Sequence, residues 1–94
     1  MIKTFKCKDT EKLYNDLDVK KFSGVSRIAR IKLEMLNATV SLSSLRVPPG
    51  NRLEQLKGDR KGQHSIRIND QWRVCFVWKE ENAYDVEIVD YHKG

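Results

Sequence analysis

The 94-residue sequence contains only two cysteines and two histidines, and it has no long hydrophobic run. Cys7 and Cys75 lie far apart, no Cys-x-x-Cys motif is present, and no pair of histidines stands near either cysteine. We therefore expect reduced thiols, no metal site and no cofactor. No apolar segment has the length of a transmembrane helix or of a signal-peptide core. These absences favour a cytoplasmic protein with no membrane partner.

The charge is basic overall but changes sign between segments. The formal net charge is +5 and the pI is about 9.4. Residues 52–73 contain six basic and three acidic residues, whereas residues 80–90 contain five acidic residues. A local positive field suits a face that binds an anionic partner. With 39% hydrophobic and 33% charged residues, the sequence predicts one folded domain over residues 1–94.

The order of hydrophobic patterns predicts an α+β fold. Alternation over residues 1–7 indicates a first strand. A narrow apolar stripe then indicates a helix that is capped by Asp9 or Thr10 and extends through Leu17. A second helix over residues 25–38 and an irregular linker precede three or four antiparallel strands. We expect both helices to pack on one face of a mainly antiparallel sheet.

The second helix is predicted to be the longest element and to cover the sheet. Arg30 and Glu34 stand one turn apart and predict an ion pair on its polar side. Its broad apolar face comprises Val25, Ile28, Ala29, Ile31, Met35, Leu36 and Ala38.

The segment 58–78 carries the clearest pattern, which is that of a β-hairpin. Residues 64–68 and 72–78 both alternate with period two. A three-residue loop at Asn69–Gln71 gives one apolar face and places Arg67 directly opposite Arg73 on the other, which we expect to be cationic. Two neighbouring guanidinium groups repel each other unless an anion bridges them, and we expect that anion to be a phosphate.

The available side chains permit cleavage of RNA without a metal. That reaction requires a base for the 2′-OH, positive charge for the transition state and an acid for the 5′-oxygen. His92 is the natural acid, and Tyr91 can stack on a base. We expect His64, by contrast, to be structural at the edge of the core. The cations are Lys57, Arg60, Arg67 and Arg73, and the carboxylates for base or orienting work are Asp90 and Glu54.

Three motifs occur together and in order in this sequence: Leu56-Lys57-Gly58-Asp59-Arg60, Asn69-x-x-Trp72-Arg73-x-x-Phe76, and the terminal Asp90-Tyr91-His92. With these motifs the chain resembles the HigB-type toxins of the RelE superfamily, including the GraT subgroup, over nearly its whole length. The resemblance implies a compact microbial-RNase-type fold. It also implies a bacterial type II toxin that cuts mRNA in the ribosomal decoding site and thereby inhibits translation.

The same resemblance implies partners and residue roles. The partner would be a HigA-type helix-turn-helix antitoxin, and operator DNA would be contacted only through that antitoxin. Arg60 and Arg67 correspond to the RNA-facing surface. The positions that the family uses for catalysis or phosphate contact correspond to Lys57, Arg73, Asp90, Tyr91 and His92.

One position departs from the family pattern. Some relatives carry a histidine three residues before the lysine of the Lys-Gly-Asp-Arg run, where this chain has Glu54. The identity of the general base therefore stays open, and a carboxylate there also repels the scissile phosphate. This feature favours an alternative function, a non-catalytic or weakly catalytic module that binds the ribosome and its antitoxin. A free-standing DNA-binding domain is disfavoured because no recognition helix is apparent.

Overall fold

The computed structural model describes residues 1–91. Two helices, α1 and α2, precede a four-stranded antiparallel sheet with the strand order β1-β2-β3-β4. The segments between them contain short 3₁₀ helices at Lys20–Phe22, Leu42–Arg46, Pro49–Asn51 and Gly58–Arg60. Within this part of the chain, no helix is long and apolar enough to cross a membrane. The helices and strands are α1 Lys8–Tyr14, α2 Ser26–Ala38, β1 Glu54–Gln55, β2 Gln63–Arg67, β3 Trp72–Lys79 and β4 Asn82–Asp90.

The predicted α+β architecture is confirmed, but the predicted first strand is wrong. The N-terminal segment makes only two isolated parallel bridges to β4, at Ile2 and at Phe5. The ladder between them is interrupted because Asp85 bulges out of β4 with a φ of 53°. The Asp85 amide donates instead to the Thr4 hydroxyl at 2.8 Å.

Helix α1 is shorter than predicted and is not capped by Asp9 or Thr10. It spans Lys8–Tyr14, and the residue before it, Cys7, provides no side-chain cap. Thr10 is fully buried within the helix, where its hydroxyl accepts a hydrogen bond from the Ile88 amide at 3.0 Å. Thr10 therefore ties the helix to the sheet.

Helix α2 covers the sheet as predicted, but with a narrower face. Ala29, Leu33 and Leu36 are buried, whereas Ile28 and Ile31 are exposed. The predicted ion pair between Arg30 and Glu34 does not form. Arg30 donates to the backbone carbonyls of Leu13 and Leu17, and Glu34 accepts from the Tyr14 hydroxyl. Both side chains therefore tie α2 to α1 and to the segment after it.

The predicted hairpin register is confirmed. Ile66 pairs with Val74 and Arg67 pairs with Arg73 across β2 and β3. The side chain of Asn69 shapes the loop, because its Oδ1 accepts from the amides of Gln71 and Trp72 at 2.8 Å each. The inner face of the sheet, which packs on α2, is apolar and includes Ile66, Ile68, Val74, Phe76, Val86 and Ile88.

Candidate functional site

The outer face of the sheet, the face turned away from α2, carries a polar row across all four strands. Glu54 pairs with Ser65, Ser65 pairs with Cys75, and Cys75 pairs with Glu87. Paired residues point to the same side of a sheet, so the four side chains share this face. Ser65 and Cys75 are both fully buried. The next row contains Arg67, Arg73 and Val89.

Arg73 is a buried arginine at the centre of the outer face. Its side chain is only 9% exposed. Nε donates to the Ser65 hydroxyl at 2.7 Å, and Nη2 donates to the Arg52 carbonyl at 2.7 Å. Glu54 Oε1 lies 3.7 Å from Nη2. These contacts fix the orientation of the guanidinium plane. Its acceptors are neutral, and the carboxylate near it, that of Glu54, is half-exposed.

Arg67 and Arg73 do not need an anion to offset their repulsion, because each guanidinium has its own partner in the chain. Arg67 donates to Asp70 Oδ1 at 2.5 Å, outside the sheet, while Arg73 turns to Ser65 and Arg52. The repulsion expected between two facing arginines is thus relieved within the protein.

Arg60 reaches from the turn after β1 to the opposite edge of the outer face. Its Nη1 donates to Glu87 Oε1 at 2.8 Å and to Gln63 Oε1 at 3.2 Å. The hydrogen bond that Arg60 donates to Glu87 raises the pKa of Arg60, and burial opposes this effect. The basic and acidic segments of the sequence are therefore neighbours in space, and the predicted cationic face is mixed in charge.

Tyr91 lies over the buried Arg73. The Arg73 Cζ atom is 5.4 Å from the centroid of the Tyr91 ring, a cation–π geometry. The Tyr91 amide donates to the Gln71 carbonyl at 2.5 Å, which anchors the residue after β4 to the hairpin loop. An aromatic ring on a guanidinium leaves one ring face available for stacking with a nucleobase.

Cys75 lies in the middle of the polar row but is not a nucleophile. Burial raises the pKa of its thiol to about 11, with smaller opposing effects of Arg60 and Arg73. A thiol in that state stays protonated near neutral pH. Within residues 1–91, no group of three His, Cys, Asp or Glu side chains could hold a metal ion.

Among residues 1–91, the structure places the sequence-predicted site residues in three locations: the outer face, the turn after β1 and the end of the sheet beside the hairpin loop. Glu54, Arg60, Arg73 and Tyr91 share the outer face, and Arg67 neighbours Arg73 there. Lys57 is exposed in the turn after β1, beside Leu56 and Lys61. His92 lies outside the described residues.

Asp90 is separated from the arginines by its strand register. It pairs with Trp72, whereas Arg73 pairs with Val89, so Asp90 and Arg73 point to opposite faces of the sheet. Gln71 Nε2 donates to the Asp90 carboxylate at 3.2 Å, at the end of the sheet. Among the described contacts, Asp90 is thus a neighbour of the hairpin loop.

Sequence reasoning missed Ser65, which holds the buried Arg73, and Glu87, which holds the partly exposed Arg60. Ser65 was visible as the polar residue in phase with Arg67, and Glu87 as the polar residue in phase with Val89. Linking them required the register of three strand pairs, including the bulge at Asp85. His64 lies at the core edge as expected: its ring stacks on Phe76 at 6.2 Å, and burial lowers its pKa.

Comparison with known proteins gives a family for this geometry. Residues 3–92 match the family model described as the RelE-like toxin of type II toxin-antitoxin system HigB. The chain is 41% identical over 91 residues to Toxin HigB-1 of Vibrio cholerae serotype O1, which covers 95% of each chain. It is 42% identical over 41 residues to Endoribonuclease HigB of Proteus vulgaris, which covers 44% of this chain and 45% of that one.

Solved structures share the same architecture. The chain is similar to one in the heterotetrameric YoeB-YefM toxin-antitoxin complex from Staphylococcus aureus, with a TM-score of 0.57, 18% identity and 99% of both chains covered. It is also similar to YafQ from E. coli, with a TM-score of 0.56, 12% identity and coverage of 97% of this chain and 94% of that one. At these identities the likeness concerns the fold alone.

Proposed function

This chain belongs to the HigB family of RelE-like toxins from type II toxin-antitoxin systems, and from that premise we propose that it is an endoribonuclease that cleaves mRNA in the ribosomal decoding site. A family relative from Proteus vulgaris carries the name Endoribonuclease HigB, which supports the activity. Cleavage of translated mRNA would stop protein synthesis and account for toxicity. The reaction belongs in the cytoplasm, where ribosomes are.

The observation that carries this proposal is the fixed guanidinium of Arg73. A preorganised cation stabilises the charge that develops on a pentacoordinate phosphate without first reorganising solvent. Ser65 and the Arg52 carbonyl hold two nitrogens of Arg73, so its position is set before RNA binds. Arg60 adds positive charge at the far side of the same face.

The proposed chemistry is an attack by the 2′-oxygen on the adjacent phosphorus. The base removes the 2′-OH proton, the new P–O2′ bond forms, and the P–O5′ bond breaks as the acid protonates the 5′-oxygen. The products carry a 2′,3′-cyclic phosphate and a 5′-OH. Glu54, 3.7 Å from Arg73, is the carboxylate positioned for the base on this face. His92 is the proposed acid.

The remaining site residues take supporting roles in this proposal. Tyr91 stacks on the nucleobase beside the scissile bond, since its ring already lies against Arg73. Lys57, exposed after β1, contacts the phosphate backbone. Asp90, which faces away from Arg73, orients the end of the chain by its contact with Gln71.

The proposed protein partner is a HigA-type helix-turn-helix antitoxin. The family assignment to type II systems supports such a partner, and the solved YoeB-YefM assembly is an example of a toxin-antitoxin complex with this fold. The complex would repress the shared operon, and operator DNA would be contacted through the antitoxin. Two observations test this partner. We expect a helix-turn-helix reading frame beside the gene, and we expect its product to co-purify with this chain.

Incubation with mRNA, in the presence and absence of programmed ribosomes, tests the enzymatic proposal. We expect cleavage only on ribosomes, with 2′,3′-cyclic phosphate and 5′-OH ends. The Arg73→Ala and His92→Ala double variant should lose cleavage and growth inhibition while it retains antitoxin binding. Cleavage by the double variant at the wild-type rate would remove the proposed site.

A second candidate function rests on Glu54. Its carboxylate faces Arg73 and offsets part of the positive charge that a phosphate would meet. A chain with this pair could bind the ribosome and antitoxin with little catalysis. Translation inhibition without any cut mRNA, in the assay above, would favour this binding module over the nuclease.

A further inference from the structure

A second group of cations lies beside Arg73, at the corner where α2, the Pro49–Asn51 turn and the end of β2 meet. It comprises Lys32 from α2, Arg52 after the turn, and Arg67 at the end of β2. Arg67 pairs directly with Arg73, and Arg52 holds Arg73 through its carbonyl. The corner is accessible to solvent, because Arg52 is exposed and the Arg67 side chain is 31% exposed. This corner cluster is therefore contiguous with the proposed cleavage site.

Lys32 is the member that sequence reasoning did not consider. Its Nζ donates to Asn51 Oδ1 at 2.5 Å, and Asn51 is itself fully buried. Burial and the nearby charge of Arg67 both lower the pKa of Lys32. Among the described residues, no carboxylate forms an ion pair with this ammonium. Lys32 is thus held by a neutral amide and keeps an unbalanced positive charge.

The Asp70 carboxylate accepts a hydrogen bond from Arg67, and the positive charge of Arg52 also favours its ionised form. Arg67 donates to it at 2.5 Å, and this hydrogen bond lowers the pKa of Asp70, as do the charges of Arg67 and Arg52. Asp70 itself is fully exposed in the hairpin loop. Arg52 is fixed in a left-handed conformation, with φ 46° and ψ 55°, by the turn before it. The two arginines of the cluster therefore act on a single carboxylate that solvent can reach, and Lys32 lies near enough to Arg67 for their charges to repel each other.

We propose that Lys32, Arg52 and Arg67 form a second phosphate site, which binds an RNA backbone phosphate near the one at Arg73 and is occupied by Asp70 when RNA is absent. The inference rests on the proposed nuclease function. A phosphate offers more acceptor oxygens than a carboxylate, so it can satisfy Lys32 together with the arginines. Displacing the Asp70 carboxylate from the arginines requires little free energy, because the side chain is fully exposed and water can solvate it.

Affinity for ribosomes tests this site. The ribosomes are programmed with 2′-O-methyl mRNA, which the proposed reaction cannot cleave. Lys32→Gln and Arg67→Gln should each weaken toxin binding about fivefold to tenfold. Arg27→Gln removes the same charge from an exposed position of α2 and is the matched control, with binding close to wild type. Circular dichroism of each variant checks that the fold is kept.

The double variant and the salt dependence sharpen the test. If Lys32 and Arg67 share one phosphate, the Lys32→Gln and Arg67→Gln double variant should lose less than the product of the single losses. For the double variant compared with wild type, the slope of log affinity against log salt concentration should fall in magnitude by about 0.7, the value for one single-stranded phosphate contact. Two separate phosphate contacts would lower it by about twice that amount. Strictly multiplicative losses would contradict a shared phosphate.

The Asp70→Asn variant tests the internal competitor. Because it removes the carboxylate that occupies the cluster, it should bind tighter than wild type. Asp18→Asn, which removes one exposed negative charge elsewhere, controls for net charge. Equal effects of these two variants would overturn the role of Asp70 in the proposed site.

Vacant ribosomes identify the source of the phosphate. A loss seen only with programmed ribosomes assigns it to the message, and a loss on vacant ribosomes as well assigns it to ribosomal RNA. Either result supports the site. Wild-type affinity of both single variants, in a chain that still cleaves natural mRNA, would overturn this site alone. A wild-type chain that neither binds nor cleaves would overturn the nuclease function and this site with it.

Discussion

The inner and outer faces of the sheet are both closed to water at their centres, but by different groups. On the inner face, Ile66, Val74 and Phe76 are fully buried against the helices. On the outer face, Ser65 and Cys75 are just as inaccessible, yet their neighbours are charged side chains. The same strands thus support an apolar layer on one side and an ionic layer on the other.

The difference between the faces separates stability from function. Apolar burial stabilises a fold by about 25 cal/mol per Å², and the inner face provides it. Buried ion pairs contribute little net stability, because desolvation offsets their attraction. An ionic layer that the fold does not need is consistent with a role in binding or catalysis. Variants that affect one face without the other test this separation.

The largest effect on stability is expected on the inner face. Phe76→Ala removes a fully buried ring and should lower the free energy of unfolding by about 3–5 kcal/mol. Urea titration followed by tryptophan fluorescence measures the loss. The folded fraction should retain wild-type cleavage, because Phe76 does not reach the outer face. A loss below about 1 kcal/mol would show that the inner face is not the stabilising layer.

On the outer face, substitutions of Glu54 should change the rate of RNA cleavage. If Glu54 is the base, Glu54→Gln should slow cleavage about 100-fold, the lower range for general base catalysis. Glu54→His restores the residue that some relatives carry and should raise toxicity, since it removes the negative charge beside Arg73. Growth inhibition and single-turnover cleavage measure both variants. Wild-type cleavage by Glu54→Gln would assign the base elsewhere.

The Arg60–Glu87 pair allows both properties to be measured at one place. The side chains are 34% and 16% exposed, so Arg60→Ala should cost only about 1–2 kcal/mol of stability by leaving Glu87 without its cation. The Arg60→Ala and Glu87→Gln double variant should recover part of that stability. It should not recover cleavage. Recovery of both would make the pair purely structural.

The smallest effect concerns pH and His64. Burial lowers its pKa, so the unfolded chain binds a proton more readily than the folded chain. This contribution to stability is present above the unfolded pKa of about 6.5 and is lost as the pH falls through the folded value. The difference in unfolding free energy between wild type and His64→Gln should therefore change below that pH. The measurement should run from about pH 7.5 to about pH 5, which brackets the ordinary histidine pKa of about 6.5. A difference that stays constant over that range would contradict a lowered pKa of His64.

Much of the fold could be predicted from local pattern. The hairpin register followed from period two and from the loop length, and the RelE-like fold followed from three motifs. The first strand could not, because it pairs with β4, which is far away in sequence, and the bulge at Asp85 interrupts that pairing. The prediction that Thr10 could cap α1 failed for a similar reason. Its hydroxyl accepts a hydrogen bond from β4 and not from its own helix.

The sequence indicated which residues lie together in the candidate site better than it indicated how they contact one another. Arg73, Arg60, Glu54 and Tyr91 do come together. The separate partners of Arg67 and Arg73 depend on Asp70 and on a loop carbonyl, which no pattern identifies. Placing Asp90 on the opposite face required the register of β3 against β4, which the hairpin alone does not give.

The central claim is that the buried arginine of the outer face acts on the reacting phosphate, and single-turnover cleavage on programmed ribosomes tests it most directly. At saturating toxin, Arg73→Ala should lower the rate constant about 100-fold to 1000-fold, as for loss of a preorganised donor. Arg73→Lys, which keeps the charge without the fork of donors, serves as the second variant. Arg67→Ala should weaken binding and leave the saturated rate near wild type. Folded Arg73 variants that cleave at the wild-type rate would contradict the account.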